Sequence, residues 1–483
     1  MSSIINVKVV FQIISRNLLI TSIALFLCIV VACIYKENIY PFVISSIITF
    51  FSGLGLYFLT KAKAEEEVIT RKTAYFTVSM SWFVMVLFGS LPYILSGSIP
   101  NFVNALFESV SGFTTTGASI LVDIESLPKS ILLWRSLTHW IGGIGIILLV
   151  IIVLPSLQIG SYHIFTLESS LQTKIQARIK SIGLRLLFIY IALTLSEVIL
   201  LVAGKMNLFE SVCHAFGTVS TGGFSPKNSS IGGYSSYIQY VIMIFMLLSG
   251  TNFVIHYYIL KRKFDKIKEN EELKLYFIVV LVVGLIISCA LFFDMHKPLE
   301  LALRESFFNV ISIITCTGFA TADYMQWPVY AWMLIFISMF LGGCTGSTAG
   351  GIKIVRHLIF LKNIRNIFRK MLSPNEVIMV YLNRIKLSKE SNISILTFIS
   401  IYLLIFFLGS IILIFLNVDG LTASSSVATC MAGIGPGVGI IGPAGNFADL
   451  PTMAKLVLSL LMLIGRLEIY TIVILFSKTF WTK

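Results

Sequence analysis

Four glycine-bearing triplets are the residues of this chain best suited to do chemistry: Thr115-Thr116-Gly117, Ser220-Thr221-Gly222, Cys316-Thr317-Gly318 and Gly433-Ile434-Gly435. They begin 105, 96 and 117 residues apart, and each follows a half-length apolar segment, so each belongs to a separate structural unit. Glycine admits backbone conformations in which consecutive carbonyl oxygens point at one axis. A ring of such carbonyls can replace the water around a potassium ion. The triplets carry no carboxylate, so selectivity would come from backbone oxygens rather than from fixed charge. Small residues also let transmembrane helices pack closely. Close packing, however, does not call for a half-length segment before each of four motifs.

Two further stretches are chemically unusual. Gly342, Gly343, Gly346, Gly350 and Gly351 fall within Gly342-Gly343-Cys344-Thr345-Gly346-Ser347-Thr348-Ala349-Gly350-Gly351-Ile352-Lys353. Each glycine costs a helix about 1 kcal/mol relative to alanine, so a non-helical segment is expected. Irregular backbone at membrane depth has to line water or be buried in protein. A flexible plug beneath the triplets fits both conditions. Gly346 and Gly351 have the spacing of a phosphate-binding loop, but Ile352 stands where its lysine belongs and Lys353 is not followed by Ser or Thr. The second stretch holds Arg466, in Leu461-Met462-Leu463-Ile464-Gly465-Arg466-Leu467-Glu468. A charge at membrane depth costs about 2.5–3.5 kcal/mol, so this guanidinium must face water, a partner or a pore. Glu468, two positions on, lies on another helix face, and Glu197 is the other acid inside an apolar run. The favoured expectation is a positive barrier in the pore, and the alternative is a structural ion pair.

The elements that would position these residues follow from hydropathy. The chain has 483 residues, 57% apolar and 12% charged, with a mean hydropathy of +0.91. Soluble proteins carry roughly twice that share of charge. Repeated apolar runs of 18 residues or more mark a polytopic helical membrane protein. No small-residue cleavage site follows the first run, so no cleavable signal peptide is expected. Spans at 17–35 and 39–60 come first, and then one unit repeats four times: span, half-segment, triplet, span. The units read 74–95, 101–113 and 131–154; 182–203, 207–219 and 236–260; 275–293, 300–314 and 327–352; 393–416, 421–431 and 452–477. The half-segments would be roughly 16–22 Å of helix, too short for a hydrocarbon core of about 30 Å, so each should re-enter from the side it left.

The predicted fold is therefore an all-α polytopic membrane protein with ten transmembrane helices. Four pseudo-repeated helix–pore helix–helix units surround one central pore, after a two-helix N-terminal domain. The predicted boundaries are 1–73 for that domain, then pore units at 74–160, 161–266, 267–390 (with a gating loop at 342–352) and 391–483. Ten spans put both termini on one side, where 27 of the 36 Lys and Arg then fall, against eight on the other. That asymmetry makes the richer side cytoplasmic. Topology accounts for the net charge of +13, and the basic stretches lack the aromatic interleaving of a nucleic-acid surface. The seven cysteines (Cys28, Cys33, Cys213, Cys289, Cys316, Cys344 and Cys430) form no CxxC or Cys/His cluster, so no metal site or disulfide framework is expected.

The chain resembles the TrkH subunits of the Trk/Ktr/HKT superfamily of potassium transporters over nearly its full length. The resemblance rests on Ser111-Gly112-Phe113-Thr114-Thr115-Thr116-Gly117-Ala118, His139-Trp140-Ile141-Gly142-Gly143, and His214-Ala215-Phe216 through Ser220-Thr221-Gly222-Gly223-Phe224. It extends to Gly250-Thr251-Asn252-Phe253, the 342–356 stretch, Gly435-Pro436-Gly437 and Gly465-Arg466-Leu467-Glu468. The two extra N-terminal spans favour the TrkH branch over its eight-span relatives. The resemblance implies a homodimer with one pore per subunit, and a cytosolic nucleotide-binding regulator, TrkA, acting on the intramembrane loop. It also implies that Arg466 sits below the filter. Two departures bear on selectivity: Ala432-Gly433 stand where many relatives carry two asparagines, and Cys316 where threonine is common.

The expected function is potassium uptake across a bacterial inner membrane, with potassium as substrate, no organic cofactor and lipid as surroundings. A sodium-conducting member of the superfamily is the first alternative. In that branch the first filter glycine tends to be serine, and Gly117 argues against it. A membrane-embedded enzyme is the second, but no polar constellation converges by sequence, since Glu197 and Glu468 lie in different units and no histidine joins them.

Overall fold

The computed structural model describes residues 5–60, 70–157, 175–376 and 378–482. The four half-segments are helices within one residue of the expected bounds: Phe102–Phe113, Leu208–Val219, Leu299–Ile314 and Gly420–Ala432. Three begin at a side-chain cap. Asn101, Asn207 and Asp419 each accept hydrogen bonds from backbone N–H groups of the first turn. Such caps satisfy donors that the helix leaves unpaired. From Ala105, Ser211, Ala302 and Thr422 onward these helices are largely buried, with their last turns at the centre of the molecule.

Longer helices surround them. Among the described residues, six are long and apolar enough to cross a membrane: Val7–Ile34, Tyr40–Thr60, Lys72–Leu95, Ile182–Ala203, Glu271–Phe293 and Lys389–Phe415. The first two pack on each other, where Ser15 Oγ donates to the Gly53 carbonyl at 2.8 Å. Gly53 allows the close approach, since a Cβ there would lie 3.1 Å from Leu18 Cβ. The turn after the first helix reaches the next part of the chain through Glu37. Its carboxylate accepts from the N–H groups of Lys129 and Ser130, at 2.5 and 2.9 Å, at the start of the helix Lys129–Leu157.

The return spans depart from expectation. The segment 236–260 is two helices, Ser236–Gly250 and Phe253–Leu260, meeting at 101°. The segment 452–477 breaks after Arg466, with a bend of 110° between Thr452–Arg466 and Tyr470–Phe476. In unit three the helix Val329–Ser338 has only ten residues, and helix resumes at Ile354. A glycine marks each break, and Gly250 and Gly465 lie where a return span passes the end of a half-helix, against Thr315 and Met431. At Gly465 a Cβ would lie 2.0 Å from the Met431 carbonyl oxygen. By length and composition these make six spans among the described residues, or eight with each bent pair counted as one; the other two expected spans fall on Lys129–Leu157 and on the short helix Val329–Ser338.

Three expected domain boundaries fall inside helices, those beginning at Arg71, Phe264 and Lys389. The boundary at 160/161 lies outside the described residues, as do the basic positions Lys61, Lys63 and Lys174. One feature absent from the sequence reading is a hairpin, Tyr381–Leu382 paired with Ile385–Lys386, turning at Asn383 and Arg384 with φ of 49° and 65°.

Candidate functional site

Each half-helix ends in the same backbone turn. Thr114, Ser220 and Thr315 cap the first three in right-handed conformation, and their hydroxyls donate back to Val110, Phe216 and Ile311 at 2.7, 2.5 and 2.7 Å. The next residue is left-handed in every unit: Thr115 (φ 52°), Thr221 (55°), Cys316 (56°) and Gly433 (70°). Such a conformation is uncommon for any residue but glycine, and more so for a β-branched one. Two positions further on, φ is positive again at Gly117, Gly223, Gly318 and Gly435. The expected triplet in unit two is therefore displaced by one. Ser220 corresponds to Thr114 and Thr315, and the equivalent triplet is Thr221-Gly222-Gly223. The run Ser-Thr-Gly-Gly matches the Thr-Thr-Gly pattern in two registers, and only the turn geometry separates them.

The four turns close on one another. A Cβ at Gly117 would lie 2.2 Å from the Gly222 carbonyl oxygen, and one at Gly223 would lie 1.9 Å from that of Thr317. A Cβ at Gly318 would meet the Ile434 oxygen at 1.8 Å, and one at Gly435 the Thr116 oxygen at 2.7 Å. Contacts thus run from unit one to two, two to three, three to four and four back to one. Side chains are excluded from the seams because neighbouring backbones already occupy the space. A cavity of about 160 Å³ opens on this ring and is lined by Gly117, Gly223, Gly318 and Gly435 together.

Buried polar side chains hold each turn against its own half-helix. Glu108, six residues before Thr114, accepts from Ser119 Oγ at 3.0 Å and the Ile120 N–H at 3.0 Å. His214 and Asn309 hold the same place before Ser220 and Thr315. His214 Nε2 lies 3.0 Å from Ser225 Oγ, and Asn309 Nδ2 donates to Thr321 Oγ1 at 3.3 Å. In unit four Ser425 Oγ accepts from the Val438 N–H at 2.5 Å. Unit one is joined to unit two by His139. The Gly112 carbonyl can only accept from Nδ1, at 2.8 Å, and the Phe224 N–H can only donate to Nε2, at 3.2 Å. Those two partners fix a neutral tautomer.

Arg135 completes this scaffold. Its Nε donates to Glu108 at 2.9 Å, and its guanidinium lies over the Phe224 ring at 4.1 Å from the centroid. Both members of the pair are buried. Removing one partner of such a pair costs about 3–5 kcal/mol. Arg135→Leu is therefore expected to lower the thermal unfolding temperature steeply, and Arg135→Leu with Glu108→Leu to recover much of the loss. Equal stability of single and double variants would contradict the pairing. Glu108 is the lone acid of its half-segment, and its partner lies 27 residues away, so neither is among the residues singled out from the sequence.

The glycine stretch is non-helical from Leu341 to Lys353 and lies against the inner ends of the half-helices. Thr348 Oγ1 donates to the Val219 carbonyl at 3.1 Å, at the end of the second half-helix. A Cβ at Gly350 would lie 2.0 Å from the Ala432 oxygen, at the end of the fourth. The Gly342 and Cys344 N–H groups donate to the Ile352 and Gly250 carbonyls, at 2.9 and 2.8 Å, and the Gly346 carbonyl accepts from the Phe253 N–H at 3.1 Å. Gly343 and Gly351 line the narrow neck of the loop, and Gly346 (φ 79°) turns its tip. Lys353 Nζ donates to the Ala349 carbonyl.

Arg466 points into the same place. Its guanidinium donates to the Thr348 carbonyl at 2.7 Å and to the Gly142 carbonyl at 3.3 Å. Its Nε has no partner among the described residues, and the residue is 7% exposed. Neither candidate acid pairs with it. Glu468 forms an ion pair with Arg356, and Glu197 is buried with no cation paired to it among the described residues. Arg466 thus bridges the loop to the unit-one return helix.

A family model described as TrkH, cation transport protein, matches residues 38–482. Among curated proteins, the Trk system potassium uptake protein TrkH of Halomonas elongata is 33% identical over 487 residues, covering 99% of this chain and 100% of that one. The protein of the same name from Escherichia coli K12 is 34% identical over 445 residues, covering 90% and 92%. Among solved structures, the potassium transporter TrkH from Vibrio parahaemolyticus matches with a TM-score of 0.89 at 29% identity, covering 99% of this chain and 100% of that one.

Proposed function

Since the chain belongs to the TrkH family of cation transport proteins, we propose that it takes up potassium across a bacterial inner membrane through the ring of four turns. The observation that carries this reading is the closed sequence of backbone contacts from unit one through unit four and back. The filter residues are Thr115, Thr116 and Gly117; Thr221, Gly222 and Gly223; Cys316, Thr317 and Gly318; and Gly433, Ile434 and Gly435. Ser220 caps its half-helix instead of lining the path. The four half-helices aim their C-terminal ends at the centre, and each end resembles about half a negative charge, on the order of −2 together. That field favours a cation. Backbone carbonyls then take over the work of its hydration shell.

The 342–352 loop, with Gly342, Gly343, Gly346, Gly350 and Gly351, is the gate, and Arg466 is a positive barrier that also holds the loop. The chain crosses the membrane ten times with both termini cytoplasmic, each broken return segment counting as one crossing. It works as a homodimer under a cytosolic nucleotide-binding regulator resembling TrkA. The helix Ile354–Leu372 supports that partner, because it exposes Arg365, Arg369 and Lys370 with Phe368, Met371 and Leu372. Neutralising the three cations together is expected to weaken regulator binding at least tenfold in a titration. Unchanged binding would assign the charges to topology alone.

Uptake needs no nucleotide hydrolysis, because 100 mV of membrane potential favours entry of a monovalent cation by about 2.3 kcal/mol. The purified protein in liposomes is therefore expected to accumulate rubidium under an inside-negative potential. Excess potassium should compete and excess sodium should not. Equal competition by sodium would favour the sodium-conducting alternative.

A further inference from the structure

We propose that Glu271 and Glu272 form a two-sided clasp that holds the 342–353 loop closed on one side and the following helix and hairpin on the other. The proposal rests on reading that loop as the gate. Glu272 Oε1 accepts three hydrogen bonds: from the Thr345 N–H at 2.6 Å, the Thr345 hydroxyl at 3.0 Å and the Val355 N–H at 3.2 Å. Thr345 is near the tip of the loop and Val355 is just beyond its end, so one oxygen draws the two together. Glu272 is 6% exposed, and a buried carboxylate is costly unless donors surround it. Here Thr345 of the loop supplies two donors and Val355, just past its end, the third, so closing the loop and satisfying the carboxylate are one event. Hydrogen bonds to a charged group are the strong ones, which suits a latch.

Glu271 faces the other way. Its Oε2 accepts from Lys362 Nζ at 2.5 Å and from the Asn383 N–H at 3.4 Å, and its own N–H donates to Asn383 Oδ1 at 2.9 Å. Lys362 belongs to the helix Ile354–Leu372, and it also donates to the Tyr381 carbonyl at 2.7 Å. Asn383 is the first residue of the hairpin turn. Adjacent residues of one helix therefore grip the gate and the exposed hairpin. A displacement of hairpin or helix pulls on Glu271, and through it on Glu272 and the loop. The clasp gives a cytosolic partner a mechanical route to the gate without touching the permeation path.

The test uses full-length protein in lipid nanodiscs and liposomes, without regulator, as wild type, Glu272→Ala, Glu272→Gln and Asn383→Ala. Two quantities are read: amide hydrogen exchange over 343–355, and rubidium flux. Glu272→Ala is expected to speed exchange and raise basal flux about tenfold, as the loss of hydrogen bonds to a charged group implies. Glutamine keeps an accepting oxygen in place and should restore most of both. Asn383→Ala should raise both about threefold, consistent with losing neutral hydrogen bonds. If Glu272→Ala is not recovered folded, Thr345→Val, which deletes only the hydroxyl donor, takes its place and should speed exchange. Wild-type exchange in the folded variants would overturn the clasp. Faster exchange with unchanged flux would instead overturn the gate reading, and with it the regulatory half of the proposal.

Discussion

Alanine at Gly318 is expected to cost potassium selectivity on the order of 10- to 100-fold while leaving the helical scaffold folded. The backbone there has φ of 80°, and a Cβ would lie 1.8 Å from the Ile434 carbonyl oxygen. The left-handed conformation alone costs an L-residue about 1–2 kcal/mol. The clash then pushes aside one of the oxygens that would replace ion hydration. Each 1.4 kcal/mol lost on potassium but not on sodium is a factor of ten in discrimination. Gly117, Gly223 and Gly435 should behave alike, because each presses on the next unit. Gly222→Ala should differ in kind. Its Cβ would meet the His139 ring at 2.5 Å, a side chain rather than a carbonyl of the next unit. That variant is expected to weaken the link between units one and two with a smaller loss of selectivity. Rubidium uptake at rising sodium, measured for all five variants, orders them. Equal and full selectivity throughout would remove the ring from the permeation path.

Arg466→Ala is expected to raise the maximal transport rate and to leave apparent affinity nearly unchanged. Two effects act in the same direction. The guanidinium holds the loop through the Thr348 carbonyl, and it places a positive charge below the ring. Two unit charges 4 Å apart interact by about 1–4 kcal/mol in a watery to protein-like medium, which spans a rate change of roughly five- to several-hundredfold. The fold is expected to survive, because the guanidinium bonds to backbone carbonyls and its loss strands no buried carboxylate. Lysine keeps the charge but not the fork that reaches both Thr348 and Gly142. Arg466→Lys therefore separates barrier from tether: a low rate points to charge, and a raised rate to the lost bridge. Rates have to be normalised to folded protein from size-exclusion chromatography. A folded alanine variant with a reduced rate would contradict both roles.

Much of the architecture was legible because hydrophobic length has few meanings in a membrane. Segments of 11–15 apolar residues next to spans of about twice that length read as separate short helices, and the structure has them to within a residue. The broken return spans were less legible. Ser236–Gly250 and Phe253–Leu260 form one continuous apolar run, and hydropathy does not register the 101° bend at Thr251-Asn252. The glycine stretch at 342–352 was dense enough to announce its own break, whereas Gly465 stood alone. The unit-two register was illegible for a different reason. Ser220-Thr221-Gly222-Gly223 satisfies the pattern twice, and backbone conformation rather than composition decides between them. The polar scaffold was also hidden. Glu108 and Arg135 meet only through the packing of the first half-helix on its return helix, and Glu272 stands in a first helical turn, an ordinary place for an acid.

The central claim is that the four turns form one pore that favours potassium over sodium. It is tested most directly by the reversal potential of the purified protein in a planar bilayer, with potassium on one side and sodium on the other. The account predicts a reversal potential displaced far toward potassium selectivity for the wild-type chain, and moved toward zero by Gly223→Ala. A wild-type reversal potential near zero, or one that Gly223→Ala leaves in place, would contradict it.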